Sequence, residues 1–185
     1  MKKKPQPYKT MRLQENHTWK APPGFKIVVM DRGAVSFNIP EPWVITEYEP
    51  FTLRDKQPPD DQAGLQITFW RFPPGVDWSG LPLDKLLLNA LKGPGKGILE
   101  KTPIQRHERT DIEIVWVEHR FIDEKEKREA FSRYTFVRGW DVQALFTFSF
   151  WVTDADWCRP IWDEVMRSLQ LGRVIKDPTK GEPLH

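Results

Sequence analysis

The sequence predicts an α+β domain built as a mainly antiparallel sheet flanked by helices. Three observations carry that prediction. Residues 65–70 and 142–151 alternate an apolar face with a more polar one at the period of two that a strand requires, the second face of 142–151 being mixed enough, with Leu145 and Trp151, to suggest partial cover on both sides. The second half holds four long strand-like stretches, residues 98–106, 111–122, 129–138 and 141–152, the last two joined at Gly139-Trp140, which reads as a meander with a tight hairpin. Two segments, residues 83–91 and 156–170, carry apolar side chains at helical spacing.

In chain order, residues 1–20 read as a flexible basic tail, residues 21–175 as one domain and residues 176–185 as a C-terminal tail. Ala21-Pro22-Pro23-Gly24 separates the first tail from the domain, because paired prolines resist helix and lack ladder donors. Residues 26–30 and 34–39 form a hairpin across Asp31-Arg32-Gly33, and residues 43–48 and 51–55 follow as strands. The stripe Leu83, Leu86, Leu87, Ala90 and Leu91 opens at Pro82 and closes at Gly93 as a helix. In the last long strand Val142, Ala144, Phe146, Phe148 and Phe150 share one face, and Phe37, Trp43 and Phe148 are expected in the core. The closing helix puts Cys158, Ile161, Trp162, Val165 and Leu169 on one stripe, with Pro160 expected in its first turn, where a missing donor is tolerated.

Composition bounds function as much as fold. With 185 residues, 39% hydrophobic and 12% aromatic, the chain has the apolar surface for a core without staples. Cys158 has no second cysteine to pair with, and no Cys/His set has zinc-site spacing, so a reducing, cytoplasmic setting and no metal are expected. The formal charge of +2 is concentrated in the first 20 residues, where six basic side chains face only Glu15. The rest is slightly acidic, which argues against a nucleic-acid partner. No stretch approaches the roughly 18 apolar residues of a membrane span, and no apolar leader follows the N-terminal lysines.

Val35-Ser36-Phe37-Asn38-Ile39-Pro40, followed by Trp43, opens the domain, and the hairpin over residues 134–151 leads into a helix ending Ser168-Leu169. In this arrangement, over residues 25–171, the chain resembles the PsbP-like and Mog-type (DcrB-like) proteins. The resemblance implies a three-layer α/β/α sandwich around an antiparallel sheet. It also implies a non-catalytic accessory role, as in photosystem subunits of the PsbP branch, a Ran GTPase partner in the Mog branch and lipoproteins in the DcrB branch. Because polar residues follow the N-terminal lysines, a lumenal or lipoprotein role like that of the exported branches is not expected, and no motif maps onto a Ran-binding surface.

Each candidate for chemistry has a stronger structural explanation. Gly93-Pro94-Gly95-Lys96-Gly97 follows a helix, loses a donor at Pro94 and lacks the hydroxyl residue of a phosphate loop, so it reads as a turn. His107, Glu108, Asp111, Glu113, Glu118 and His119 are dense in acid–base groups, yet strand alternation places Glu118 opposite Asp111, Glu113 and His119, which favours an ion-paired face. Cys158 on an apolar stripe reads as a buried hydrophobe. No catalytic residue and no cofactor are therefore expected. The leading expectation is a binding or assembly module for another protein, with Trp78, Arg138 and Trp140 as partner contacts. A small enzyme or ligand-binding domain using the Glu/His-rich strand 107–119 is the alternative.

Overall fold

The structure is a computed structural model that describes residues 8–78, 80–92, 97–107 and 109–183. β1 (Phe25–Met30) and β2 (Val35–Pro40) form the expected hairpin, with Val28 opposite Phe37. Between them Asp31, Arg32 and Gly33 all take positive φ. A side chain at Gly33 would come within 2.9 Å of the Arg173 carbonyl oxygen, so the turn needs glycine there for space as well as for conformation.

β3 (Val44–Tyr48), β4 (Phe51–Arg54) and β5 (Ala63–Arg71) follow, then α1 (Leu83–Ala90). The expected strand over residues 98–106 is instead two short strands, β6 (Ile98–Lys101) and β7 (Gln105–His107), both paired with β8 (Glu113–Ile122). Pro103 lies in the gap and has no N–H to offer the ladder, which breaks the strand. β9 (Glu129–Gly139) and β10 (Val142–Trp151) complete the meander, and β10 also pairs β5 along its whole length. The resulting eight-stranded sheet runs β3-β4-β5-β10-β9-β8-β6, with β7 beside β8. Every pairing in it is antiparallel.

The closing helix, α2 (Ala155–Ser168), begins earlier and ends sooner than the sequence predicts. Pro160 is its sixth residue, inside the helix and not in its first turn, and the side chain is exposed. Gln170 leaves the helix: the Ser168 hydroxyl donates back to the Glu164 carbonyl, Leu169 turns extended, and β11 (Gln170–Leu171) pairs β2. Arg109 closes the helix end by donating to the carbonyls of Met166 and Leu169, both at 2.9 Å.

The two helices pack on opposite faces of the large sheet. Phe146, Phe148 and Phe150 of β10 meet Phe37 and Trp43 and the Cys158, Trp162 and Val165 stripe of α2. On the other face Leu83 and Leu87 of α1 pack against Val115, Val117 and Phe136. Phe37, Trp43 and Phe148 are all buried, as the alternation requires.

Residues 14–19 and 176–183, read from the sequence as parts of two tails, are tied to each other. β12 (Ile175–Asp177) and β13 (Glu182–Pro183) form a small ladder, and Ile175 is buried. Residues 14–19 lie along it: the amides of Gln14 and Thr18 donate to the carbonyls of Thr179 and Lys180, and the Trp19 indole N–H donates to Pro178 at 2.7 Å. Sequence distance hid this contact, since neither strap has periodicity of its own.

Candidate functional site

The end of the molecule at the β9–β10 hairpin carries the three residues singled out as partner contacts, in three different environments. Register pairs Val142 with Gly139, leaving Trp140 and Asp141 as a two-residue loop. Trp140 takes φ 54°, a left-handed conformation that a bulky residue adopts only at a cost. Its side chain is 78% exposed. It stands close over Gly172, where an added Cβ would come within 2.6 Å of the Trp140 Cβ. At Gly139 the Ile112 side chain leaves equally little room.

Trp78 is half-buried, edge-on to Phe72 with ring centres 4.9 Å apart, and the Arg138 guanidinium lies 5.0 Å from its ring centre. Arg138 itself is buried. It donates twice to Glu113 and once to the Leu81 carbonyl, tying β8, β9 and the segment before α1 together. Of the three, Trp140 alone is mostly open to solvent; Trp78 and Arg138 pack on each other beside the segment that leads into α1.

The Glu/His-rich strand is split by the sheet. Glu118 faces α2, where it accepts from Arg133 at 2.7 Å and from Arg159 at 2.9 Å. Arg133 is held between indoles, 4.2 Å from the Trp116 ring centre and 5.6 Å from that of Trp162. Beside them is a cavity of about 200 Å³ that His107, Trp116 and Asp163 help to line. His119 is on the α1 face, edge-on to Tyr134 and opposite Lys101 in the register. Burial, reinforced by the Lys101 charge, holds its pKa below the ordinary imidazole value. Asp111 pairs with Arg109, and the hydrogen bonds from that guanidinium lower its pKa. Adjacent in sequence, Glu118 and His119 therefore work on opposite sides of the sheet. Among the described residues no group of His, Cys, Asp and Glu has the geometry of a metal site. Glu108 and Gly93 to Lys96, the greater part of the glycine-rich loop, lie outside the described residues.

Cys158 is fully buried on the sheet-facing side of α2, and burial, followed by the nearby Asp154 and Asp55 charges, pushes its thiol pKa up. A thiolate nucleophile needs the opposite environment.

Sequence reasoning missed a second cavity, of about 400 Å³, between residues 18–20, β2 and the end of α2. Lys20, Arg109, Arg167 and Arg173 line it, spread over more than 150 positions of the chain with no shared motif.

The chain matches the Alr1449 family model over residues 26–175. It belongs to the Alr1449 family. A relative from Nostoc sp. (strain PCC 7120), the uncharacterised protein alr1449, is 44% identical over 174 residues, which cover 93% of this chain and 90% of the relative. Among solved structures, the cyanobacterial PsbP protein CyanoP of Synechocystis sp. PCC 6803 aligns with a TM-score of 0.57 at 13% identity, over 82% of this chain and 95% of CyanoP. A Bacteroides thetaiotaomicron protein gives the same TM-score and identity over 81% of this chain, which spans 49% of that protein's length. At these identities the likeness is one of fold: this Alr1449-family chain has a PsbP-like α+β fold. Among the described residues no helix is long and apolar enough to cross a membrane.

Proposed function

We propose that this Alr1449-family protein is a non-catalytic accessory module that binds another protein through the β9–β10 hairpin end. The observation that carries the reading is Trp140, a large aromatic side chain 78% exposed on a left-handed backbone. Exposure of an indole and a strained φ each cost free energy, and contact with Gly172 recovers little of it within the chain. Burial of that indole by a partner would recover more, and tryptophan is a frequent hot-spot residue.

The PsbP-like fold accords with an accessory role, and the helices on opposite faces are read as the outer layers of an α/β/α sandwich of the PsbP and Mog type. A cytoplasmic setting belongs to the same proposal, supported by the lone buried thiol. Acid–base chemistry on strand 107–119 has less support, because Glu118 is held by two arginines and His119 is buried on the other face.

The test is quantitative affinity capture from the source cell with the full chain, Trp140→Ala, and Trp157→Ala as a second exposed indole. The reading expects one stoichiometric partner, lost with Trp140→Ala and kept with Trp157→Ala. An unchanged set of captured proteins in all three would refute it.

A further inference from the structure

We propose that the cavity between residues 18–20, β2 and the end of α2 binds a small organic dianion, such as a phosphomonoester or a short dicarboxylate, with Lys20 and Arg173 as the charge-recognising groups. The cavity holds about 400 Å³, room for a ligand of metabolite size. Its cations come from four separate stretches: Lys20 before β1, Arg109 before β8, Arg167 in the last turn of α2 and Arg173 after β11.

Two of the four are already engaged. Arg109 donates to both Asp111 oxygens and to two helix carbonyls, and Arg167 donates to both Glu164 oxygens. Those hydrogen bonds hold the Asp111 and Glu164 carboxyls below their ordinary pKa values, so both stay ionised and each cancels its arginine. Lys20 and Arg173 remain. Among the described residues neither reaches a carboxylate within ion-pair distance, and both are exposed. The Arg173 charge also acts on Asp111, yet four cations set against the two carboxylates Asp111 and Glu164 leave an excess of two positive charges at the cavity, and a ligand with two negative charges matches it.

The inner wall fixes the rest of the ligand. Val35, Phe37 and Ile39 of β2 point into the core, so Ser36 and Asn38 face the other way, toward the cavity. The Asn38 amide is spent on the Lys20 carbonyl and Glu164. The Ser36 hydroxyl makes no hydrogen bond with the described residues, although the residue is 1% exposed, and it is free to donate to a ligand oxygen. Trp19 and Ile27 add apolar wall, which favours an organic body over a bare ion. The site is independent of Trp140, which does not line it.

Calorimetric titration of the full chain with glycerol 3-phosphate and with succinate, in chloride of matched ionic strength, tests the proposal. Saturable binding of at least one probe is expected, weakened at least about tenfold in Lys20→Ala/Arg173→Ala, since each lost charged contact is worth about that factor. Lys85→Ala/Lys92→Ala removes the same charge in and just after α1 and should bind like the parent. Amide resonances of Ser36 and Gln170 should move with the bound fraction. Absence of saturable binding by either probe, or equal weakening in both double variants, would overturn the site.

Discussion

His119 and Cys158 illustrate how burial changes the chemistry of a single residue. The native protein resists protonating His119, whereas the unfolded chain takes that proton near the ordinary value of about 6.5. Below that pH the unfolded state binds more protons than the native state, so stability falls as pH drops through and below about 6.5, and above it the contribution is flat. Denaturant titrations at pH 7.5 and 5.5 should show a smaller acid loss for His119→Gln than for the parent; equal losses would place the acid sensitivity elsewhere. Cys158 behaves in the same sense: a buried thiol with a raised pKa offers almost no thiolate. A thiol reagent at pH 8 should label the denatured chain at once and the native protein only as fast as it opens, and rapid native labelling would contradict the burial. The alternation of β8 allowed Glu118 and His119 to be separated onto two faces from the sequence. It gave no sign that Arg133 and Arg159 would both converge on Glu118, because that depends on which strand and which helix lie across from it.

At the scale of elements, β10 is the strand on which the fold turns. Phe148 is 1% exposed, with ring centres 5.0 Å from Phe150, 5.8 Å from Trp162 and 6.1 Å from Trp43, so it joins the sheet to α2 and to the chain entering β3. Phe148→Ala should cost about 3–5 kcal/mol, the range for emptying a large aromatic site in a core, and a loss below about 1 kcal/mol in denaturant titration would show the site able to collapse. The alternation of β10 was plain in the sequence because side-chain direction in a strand is a local property. The spacing predicts one strand over residues 98–106, and the structure divides it at Pro103 because strand spacing takes no account of a residue without a ladder donor. α2 also stops two residues before the end that its apolar spacing predicts. Its stop is set by the Ser168 hydroxyl and by the pairing of Gln170 with Ser36, and the second of these is tertiary.

Across the whole molecule residues 14–19 and 175–183 act as one structure. Trp19 donates to Pro178 and lies against Gly181, where an added Cβ would come within 2.6 Å of the indole nitrogen. Trp19→Ala should therefore cost about 1–2 kcal/mol, for one hydrogen bond and part of an indole's apolar surface. It should also release the exchange protection of the Thr18 amide, which donates to Lys180 at 2.7 Å. Unprotected Thr18 in the parent would restore the simpler picture of a free tail. The sequence by itself determined the fold class, the meander and the core faces of β5, β10 and α2, because periodicity and turn chemistry are written in neighbouring residues. Only the tertiary structure decided that residues 14–19 would be strapped to residues 178–180, that Arg138 would be buried while Trp140 stood exposed, and that Lys20 and Arg173 would share a cavity. Those outcomes depend on close approach between residues far apart in the chain, and a polar residue carries no local mark of the partner it will meet.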